Sequence, residues 1–226
     1  MTAKQAKSAW FIAGTDTEIG KTFSATTLLY ALKNAGVQAV GMKPVAAGTD
    51  SDGKNDDVES LAAASGIAVP RALLNPCLFH PAIAPHIAAD EAGRPIEIEK
   101  IVAAFNALRE IADAVVVEGV GGFRVPLGTK IDARDLAQAL GVPVILVVGM
   151  RLGCISHALL TVESIAAADL TLAGWIANRI DPDMPRFEEN LDALKARIDA
   201  PLLGVLPALS TPQAAAAFLR IPRFGE

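Results

Sequence analysis

The sequence predicts an α/β protein in which a mostly parallel sheet lies between layers of helices. Three observations predict this class. Short runs of β-branched and aliphatic residues recur along the chain, a turn and a segment with helical spacing repeatedly follow such a run, and aromatic residues make up only 5% of the sequence. Strands that lack a polar face are typical of parallel sheets covered by helices on both sides.

The individual elements follow from these patterns. Six runs are almost continuously apolar and are predicted to be strands: residues 9–13, 37–42, 114–117, 144–148, 172–177 and 202–206. Four segments carry apolar residues at intervals of three and four and are predicted to be helices: residues 22–35, 98–111, 155–168 and 187–198. Gly36 and Gly141 are predicted C-terminal caps of helices. Residues 50–57 and 75–95 are polar or rich in proline and are predicted to be loops above the sheet.

Neither predicted loop interrupts the alternation of strands and helices, so residues 1–226 are predicted to form a single domain.

Composition excludes several classes of protein. A hydrophobic content of 52% argues against disorder. No apolar run approaches the roughly 18 residues that a membrane span needs, so we expect a cytoplasmic protein without a membrane partner. A net charge of -5 argues against a nucleic-acid partner. The two cysteines, Cys77 and Cys154, cannot form a zinc site of four cysteines.

The strongest motif stands between the first predicted strand and the first long helix. It runs from Gly14 to Thr22 and reads GTDTEIGKT. A phosphate loop needs glycine at a tight turn, free amides at a helix N-terminus, a lysine for the β- and γ-phosphates, and a hydroxyl for Mg²⁺. Gly20, Lys21 and Thr22 provide these groups, although five residues separate the two glycines where the standard motif has four. The motif predicts the three-layer architecture of P-loop NTPases; the alternative is a turn with a chance lysine.

Three charged residues lie near the predicted carboxyl edge of the sheet, where α/β proteins bind ligands. Glu118 ends the third predicted strand, Asp57 ends the acidic loop, and Lys43 follows the second strand. Carboxylates and phosphate oxygens are the ligands that Mg²⁺ prefers. A second lysine beside Lys21 would stabilise the charge that spreads during phosphoryl transfer. The alternatives are a loop-capping Glu118, a solvated Asp57, and a Lys43 whose ammonium group reaches solvent.

Five blocks, in order along the chain, resemble the dethiobiotin synthetase family: GTDTEIGKT (14–22), KPVAAG (43–48), VEGVGG (117–122), LGCISHA (152–158) and GWIAN (174–178). The resemblance implies an ATP-dependent ring closure in biotin synthesis. In this reaction 7,8-diaminononanoate and CO₂ form dethiobiotin, through a carbamate and a mixed carbamic-phosphoric anhydride, with release of ADP and phosphate. It also implies a homodimer whose active sites lie at the interface.

The resemblance further implies roles for particular residues. Lys43, Lys21 and Thr17 are expected to be catalytic, and Thr22, Asp57 and Glu118 are expected to hold Mg²⁺. The expected nucleotide site consists of Glu18, Ile19, Gly20, Lys21, Thr22, Phe23, Asp57, Glu118, Gly121, Asn178, Pro207 and Leu209. The expected substrate site consists of Thr17, Lys43, Ala47, Gly153, Cys154, Ile155 and Ser156, of which the last four receive the partner chain's substrate carboxylate at a helix N-terminus.

Two residues depart from the family pattern. Ala47 stands where many relatives have a hydroxyl residue, and Arg179 stands where an acidic or small residue is common. Arg179 leaves the choice among ATP and other nucleoside triphosphates open, because a guanidinium group near the base changes the hydrogen bonds on offer. His80, His86 and His157 form no metal-binding or triad-like set, so packing or capping roles are predicted for them.

Other P-loop proteins remain as alternatives. Ligase domains that act on cobyrinic acid or related carboxylates are similar, but they normally accompany a glutaminase part for which this chain has no room. Partitioning ATPases carry a lysine early in the loop, where this chain has Asp16. A nucleotide-binding module without catalysis would require the crevice carboxylates to be accidental.

Overall fold

The computed structural model describes residues 8–222. The strands are β1 (Ser8–Gly14), β2 (Ala39–Met42), β3 (Val45–Ala47), β4 (Cys77–Phe79), β5 (Ala114–Glu118), β6 (Val144–Gly149), β7 (Leu172–Asn178) and β8 (Leu202–Leu206). The helices are α1 (Lys21–Asn34), α2 (Asp56–Ala64), α3 (Arg71–Leu74), α4 (Pro85–Glu91), α5 (Ile98–Ile111), α6 (Ala133–Leu140), α7 (Cys154–Ala166), α8 (Phe187–Lys195) and α9 (Pro212–Ala215), followed by a 3₁₀ turn, Ala216–Phe218.

A six-stranded sheet forms the centre of the fold, in the order β2-β5-β1-β6-β7-β8. All of its neighbouring strands are parallel. β3 and β4 form a separate, parallel two-stranded sheet. The chain leaves β1 for strands on one side of it and later builds β6, β7 and β8 on the other side. The crevice beyond the carboxyl end of β1 is therefore the point at which such folds bind ligands.

Helices cover both faces of this sheet, as the predicted class requires. Along β1, Phe11 packs into one apolar core, which includes residues of α5, α6, α7 and α8. Trp10 and Ile12 point to the opposite face and pack into a second core with α1, α2 and α9. Alternate residues of one strand thus enter two cores, which explains why β1 has no polar face. The prediction of a mostly parallel α/β sheet between helical layers is confirmed.

The predicted elements agree with the structure except in the two proposed loops. All six predicted strands and four predicted helices are present, with shifted ends at several of them. Gly36 and Gly141 have φ angles of 78° and 62°, as helix-terminating glycines require. The prediction of loops was wrong at two places, because α2 begins inside residues 50–57 and both β4 and α4 lie inside residues 75–95.

Local signals for these missed helices were present in the sequence. The Asn55 side chain accepts a hydrogen bond from the backbone N–H of Val58, which makes it the N-cap of α2. Pro85 occupies the first turn of α4, where its missing N–H costs nothing. α6 lies outside both stretches and was not predicted either, although it is amphipathic and begins with an Asp132 capping box. Among residues 8–222 no helix is long and apolar enough to cross a membrane.

Candidate active site

The phosphate loop connects β1 to α1. Gly20 is the N-cap of α1 and has a φ of 83°, and no described side chain caps this helix. A Cβ atom at Gly20 would lie 2.0 Å from Nδ2 of Asn178, so only glycine fits here. The first amides of α1 are consequently left for an external acceptor, and an anion is the ligand that a helix N-terminus favours.

Lys21 begins α1 and folds back over the loop. Its Nζ atom donates a hydrogen bond to the backbone oxygen of Asp16 at 2.8 Å, and the residue is buried. Burial, together with the positive charge of Lys43, lowers the pKa of Lys21 to about 8. A phosphate group at this place would replace the carbonyl contact and would favour the charged form of the lysine.

A cluster with Lys43 and Glu118 buried at its centre forms where β2, β5, α1 and α2 meet. Nζ of Lys43 lies 2.7 Å from Oδ2 of Asp57 and 2.6 Å from Oε1 of Glu118. Oγ1 of Thr22 lies 2.7 Å from Oδ1 of Asp57 and 2.7 Å from Oε1 of Glu118. Asp57 reaches the cluster from the first turn of α2, and Glu118 from the last residue of β5. The cluster thus joins four residues that are widely separated in the sequence.

The charges in this cluster depend on one another. Burial alone would lower the pKa of Lys43, but the attraction of Glu118 and Asp57 raises it above its ordinary value. Burial would raise the pKa of Asp57, yet the charge of Lys43 lowers it. Burial raises the pKa of Glu118, and Lys43 offsets this only in part. Lys43 is therefore held as an ammonium ion, while Glu118 accepts a proton more readily than an exposed glutamate does.

The oxygen atoms of the cluster suit a hard divalent cation. The Thr22 hydroxyl has a single proton to donate, but it lies within hydrogen-bonding distance of two carboxylates. Oε2 of Glu118 is buried and has no hydrogen-bond partner among the described residues. A cation bound here would contact the Thr22 hydroxyl oxygen and the unpartnered Oε2 atom of Glu118. The described residues contain no group of three or more His, Cys, Asp or Glu side chains that could together hold a metal ion.

One cavity of about 790 Å³ opens over this cluster. It brings together ten of the residues predicted for the site: Thr17, Glu18, Gly20, Lys21, Thr22, Lys43, Ala47, Asp57, Glu118 and Gly121. Sequence reasoning missed Asn55, whose position before an acidic helix start was the available signal. It also missed an apolar wall formed by residues 82–85, which lead from β4 into the start of α4.

The other predicted nucleotide residues do not line this cavity and form a second group. Nδ2 of Asn178 donates a hydrogen bond to the backbone oxygen of Ile19 at 2.8 Å, which ties the end of β7 to the phosphate loop. The next residue donates its backbone N–H to the oxygen of Leu206, so Pro207 lies beside Asn178. Leu209 is 100% exposed and has a φ of 55°. Phe23 is half-buried against the second core, which contains α1, α2 and α9.

The predicted carboxylate-binding residues lie at the beginning of α7. Gly153 is its N-cap with a φ of 93°, and no described side chain caps the helix. Neither Gly153 nor Cys154, Ile155 and Ser156 lines the cavity of the same chain. Their prediction as ligands of a partner chain's substrate therefore stays a prediction.

The comparisons with known proteins point to one family. A family model described as an AAA domain matches residues 8–215. An ATP-dependent dethiobiotin synthetase BioD from Aromatoleum aromaticum is 61% identical over 219 residues, which are 95% of this chain and 97% of the relative. A protein of the same name from Nitrosospira multiformis is 56% identical over 88% of this chain and 87% of the relative. The chain belongs to the dethiobiotin synthetase family.

Solved structures of two other proteins share the fold of this chain. The septum site-determining protein MinD from Pyrococcus horikoshii, solved with Mg-ADP, has a TM-score of 0.53 and 18% identity, and the match covers 88% of this chain and 81% of that one. A ParA family ATPase from Chlorobium tepidum has a TM-score of 0.57 and 15% identity, with 94% and 90% covered. At these identities the likeness shows the fold alone.

The two departures from the family pattern have different surroundings. Ala47, whose position was expected to carry a hydroxyl, lines the cavity with a methyl group. The Arg179 guanidinium lies 4.8 Å from the centre of the Phe187 ring, and Nη2 donates to the backbone oxygen of Pro182 at 2.9 Å. Arg179 is therefore engaged within its own segment, whereas Ala47 forms part of the cavity surface.

The three histidines have no common site. His80 contacts the Thr49 hydroxyl through Nδ1. The backbone oxygen of His157 accepts a hydrogen bond from the Thr161 hydroxyl, within α7. Nδ1 of His86 is buried and has no partner among the described residues. None of the three lines the cavity.

Proposed function

We propose that this protein makes dethiobiotin from 7,8-diaminononanoate, CO₂ and ATP, with ADP and phosphate as the other products. The observation that carries this proposal is the Lys43 ammonium group, held by Asp57 and Glu118 in the cavity that also contains the phosphate loop. The 61% identical relative is named for this activity. We further propose that residues 1–226 work as a single synthetase domain in the cytoplasm.

Each bond-forming step of the proposed reaction uses a nucleophile that belongs to the substrate. One amine of the diamine adds to CO₂ and loses a proton, which forms a carbamate. A carbamate oxygen then attacks the γ-phosphorus of ATP, the bond to the β-phosphate oxygen breaks, and ADP leaves. The second amine attacks the carbamoyl carbon, closes the ureido ring and expels phosphate. Because each nucleophile belongs to the substrate, the protein needs to provide orientation and charge stabilisation rather than a nucleophile.

The residues of the cavity can provide both. The first amides of α1 and Nζ of Lys21 bind the β- and γ-phosphates, and the Thr17 hydroxyl lies at the reacting end of the loop. Lys43 stabilises the negative charge on the carbamate and on the transferred phosphoryl group. Residues 82–85 form an apolar wall that suits the aliphatic chain of the substrate and limits access of water to the anhydride.

Mg²⁺ would be held by Thr22, Asp57 and Glu118. When bound, it would neutralise charge on the β- and γ-phosphate oxygens. Support for this ligand set comes from the hydroxyl that is shared between two carboxylates and from the buried, unpartnered oxygen of Glu118.

We propose that ATP is the nucleotide, with Asn178 contacting the base and with Pro207 and Leu209 beside it. The exposed Leu209 side chain supports this role, because its backbone conformation is rare for a non-glycine residue and such strain is concentrated at functional sites. The Arg179 guanidinium group packs on the Phe187 ring. This contact supports the proposal that the departure at Arg179 does not change the preference for ATP. Use of other nucleoside triphosphates is a separate outcome of the experiment below.

We also propose a homodimer whose sites lie at the interface. The uncapped start of α7 suits a carboxylate from the partner chain's substrate. Leu152 and Leu160, in this region, are 91% and 62% exposed. Large apolar side chains at such exposure favour burial by a second copy.

The activity test is an incubation of purified protein with the diamine, bicarbonate, Mg²⁺ and each nucleoside triphosphate in turn. We expect dethiobiotin and phosphate in equal amounts, with ATP as the best nucleotide, and no phosphate when the diamine is omitted. Phosphate release that does not depend on the diamine would contradict the proposal and favour a switch ATPase. The Lys33→Ala variant, altered at an exposed position of α1, is the matched control and should equal the wild type.

The lowered pKa of Lys21 predicts a pH dependence of nucleotide binding. If only the charged lysine binds phosphate, affinity for a non-hydrolysable ATP analogue should fall about fivefold from pH 8 to pH 9. The Lys21→Arg variant should lose this dependence, because arginine stays charged. Affinity of the wild type that is constant over this range would contradict the assignment. The effect on folding has the opposite sign, since the native state binds fewer protons than the unfolded state between pH 8 and 10.5 and is stabilised as pH rises.

Ala47→Ser is expected to improve binding of the diamine. A serine hydroxyl in the cavity would restore one hydrogen bond to the substrate, which should lower the KM for the diamine about threefold with little change in kcat. Steady-state kinetics at saturating ATP measure this effect. The control is Ala63→Ser, at an exposed position of α2 outside the cavity, which should leave the KM unchanged. An unchanged KM in Ala47→Ser would mean that another group already fills this role.

A further inference from the structure

We propose that Arg151 is a positioning residue for phosphoryl transfer, which acts on the phosphate loop through an ion pair with Asp16. The inference rests on the proposed function, because the phosphate loop matters only to a reaction that uses a nucleoside triphosphate. Neither residue belongs to the cavity that holds Lys43. Their roles therefore do not follow from the catalytic cluster.

The ion pair connects two distant parts of the chain. Nη2 of Arg151 lies 2.6 Å from Oδ2 of Asp16, and 135 positions separate the two residues. Their side chains are 44% and 43% exposed. Ion pairs at such exposure contribute little to folding stability because water screens them. The pair is therefore better explained by what it holds in place than by the stability it adds.

Asp16 holds two residues of the proposed active site. Its Oδ1 atom accepts a hydrogen bond from the backbone N–H of Thr17 at 2.8 Å. Its backbone oxygen accepts a hydrogen bond from Nζ of Lys21 at 2.8 Å. The same residue thus contacts both groups that the proposed function places at the γ-phosphate. Rotation of the Asp16 carboxylate would release the Thr17 amide and allow the loop to shift, and displacements of about 1 Å at reacting groups reduce rates strongly.

Arg151 belongs to the turn that leads into α7. Its backbone oxygen accepts a hydrogen bond from the N–H of Cys154 at 3.0 Å, so it contacts the first residue of that helix. Further along, a groove of about 330 Å³ lies between the phosphate loop and α7, lined by Thr17 and Leu160 among others. The ion pair therefore links the loop that binds phosphate to the start of the helix proposed to receive the substrate carboxylate.

The test compares Arg151→Ala, Asp16→Asn and the double variant with the wild type. Asparagine keeps the oxygen that accepts from Thr17 and removes only the charge, so Asp16→Asn tests the ion pair. This variant is decisive, because loss of a negative charge near the phosphates would by attraction alone strengthen binding of ATP. Positioning predicts the opposite. We expect each single variant to lower kcat/KM for ATP about tenfold and to weaken binding of a non-hydrolysable ATP analogue. The double variant should be no worse than the poorer single variant.

Two further variants complete the experiment. Arg151→Lys should recover most of the lost kcat/KM, because an ammonium group can pair with Asp16. Arg186→Ala removes a similar exposed pair, with Glu189, and should match the wild type. The proposal is overturned if Asp16→Asn binds the analogue as well as or better than the wild type, or if the losses in the double variant multiply. Asp16→Asn decides the question even if Arg151→Ala does not fold. A wild type that binds the analogue but makes no dethiobiotin would refute the proposed function, while the binding comparison would still decide the role of Arg151.

Discussion

Lys43→Met should lower kcat for dethiobiotin formation about 10³-fold while changing ATP affinity only slightly. The Lys43 ammonium group lies between Asp57 and Glu118, beside rather than on the phosphate loop. In the proposed reaction it meets charge that develops on the carbamate and on the transferred phosphoryl group, and groups of this kind lower barriers more than they improve ground-state binding. Single-turnover rates and equilibrium binding of an ATP analogue measure the two effects separately.

The same substitution should also change stability, which separates a catalytic effect from misfolding. Lys43 and Glu118 have side chains only 4% and 0% exposed, and removal of one partner from a buried pair costs about 3 kcal/mol. Mg²⁺ should therefore raise the unfolding temperature of Lys43→Met more than that of the wild type, because it replaces the lost positive charge. The control is Lys54→Ala, at an exposed lysine outside the cavity. Equal losses of kcat and ATP affinity would instead assign Lys43 to nucleotide binding.

Lys21→Ala should abolish measurable turnover and weaken ATP binding about 100-fold. Lys21 is the first residue of the uncapped helix α1, and its Nζ atom donates a hydrogen bond to a backbone oxygen that phosphate can replace. Loss of such a charge affects the bound triphosphate and the transition state together. Titration calorimetry with an ATP analogue and steady-state kinetics provide the two measurements.

The fold should tolerate this substitution better than it tolerates the loss of Lys43. Nζ of Lys21 donates to the backbone oxygen of Asp16 and forms no buried ion pair with a carboxylate among the described residues. Burial lowers the pKa of Lys21, because it disfavours the charged form. The unfolding temperature of Lys21→Ala should therefore remain close to that of Lys33→Ala, the exposed control on the same helix. Unchanged ATP affinity and turnover in Lys21→Ala would refute the assignment of the phosphate loop.

Much of the candidate site could be predicted because its residues stand at strand ends and in one local motif. Glu118 follows four consecutive apolar residues, and the loop before Lys21 lies between a strand and a helix. In a parallel sheet these positions share one edge. Asp57 was predicted to lie in a loop, whereas it projects from the first turn of α2. The polar residues around it obscured the helix, since the capping signal from Asn55 is short and local propensity is weak.

The sequence by itself determined the class of fold, the order of the strands along the chain and the identity of the phosphate loop, because hydrophobic periodicity and motif spacing are local properties. Only the tertiary structure decided which groups touch. The shared carboxylate contacts of Thr22, the charge held on Lys43, and the link from Arg151 to Asp16 join residues between 14 and 135 positions apart. Such contacts depend on how helices pack against both faces of the sheet, and side-chain direction at long range is not encoded in any local pattern.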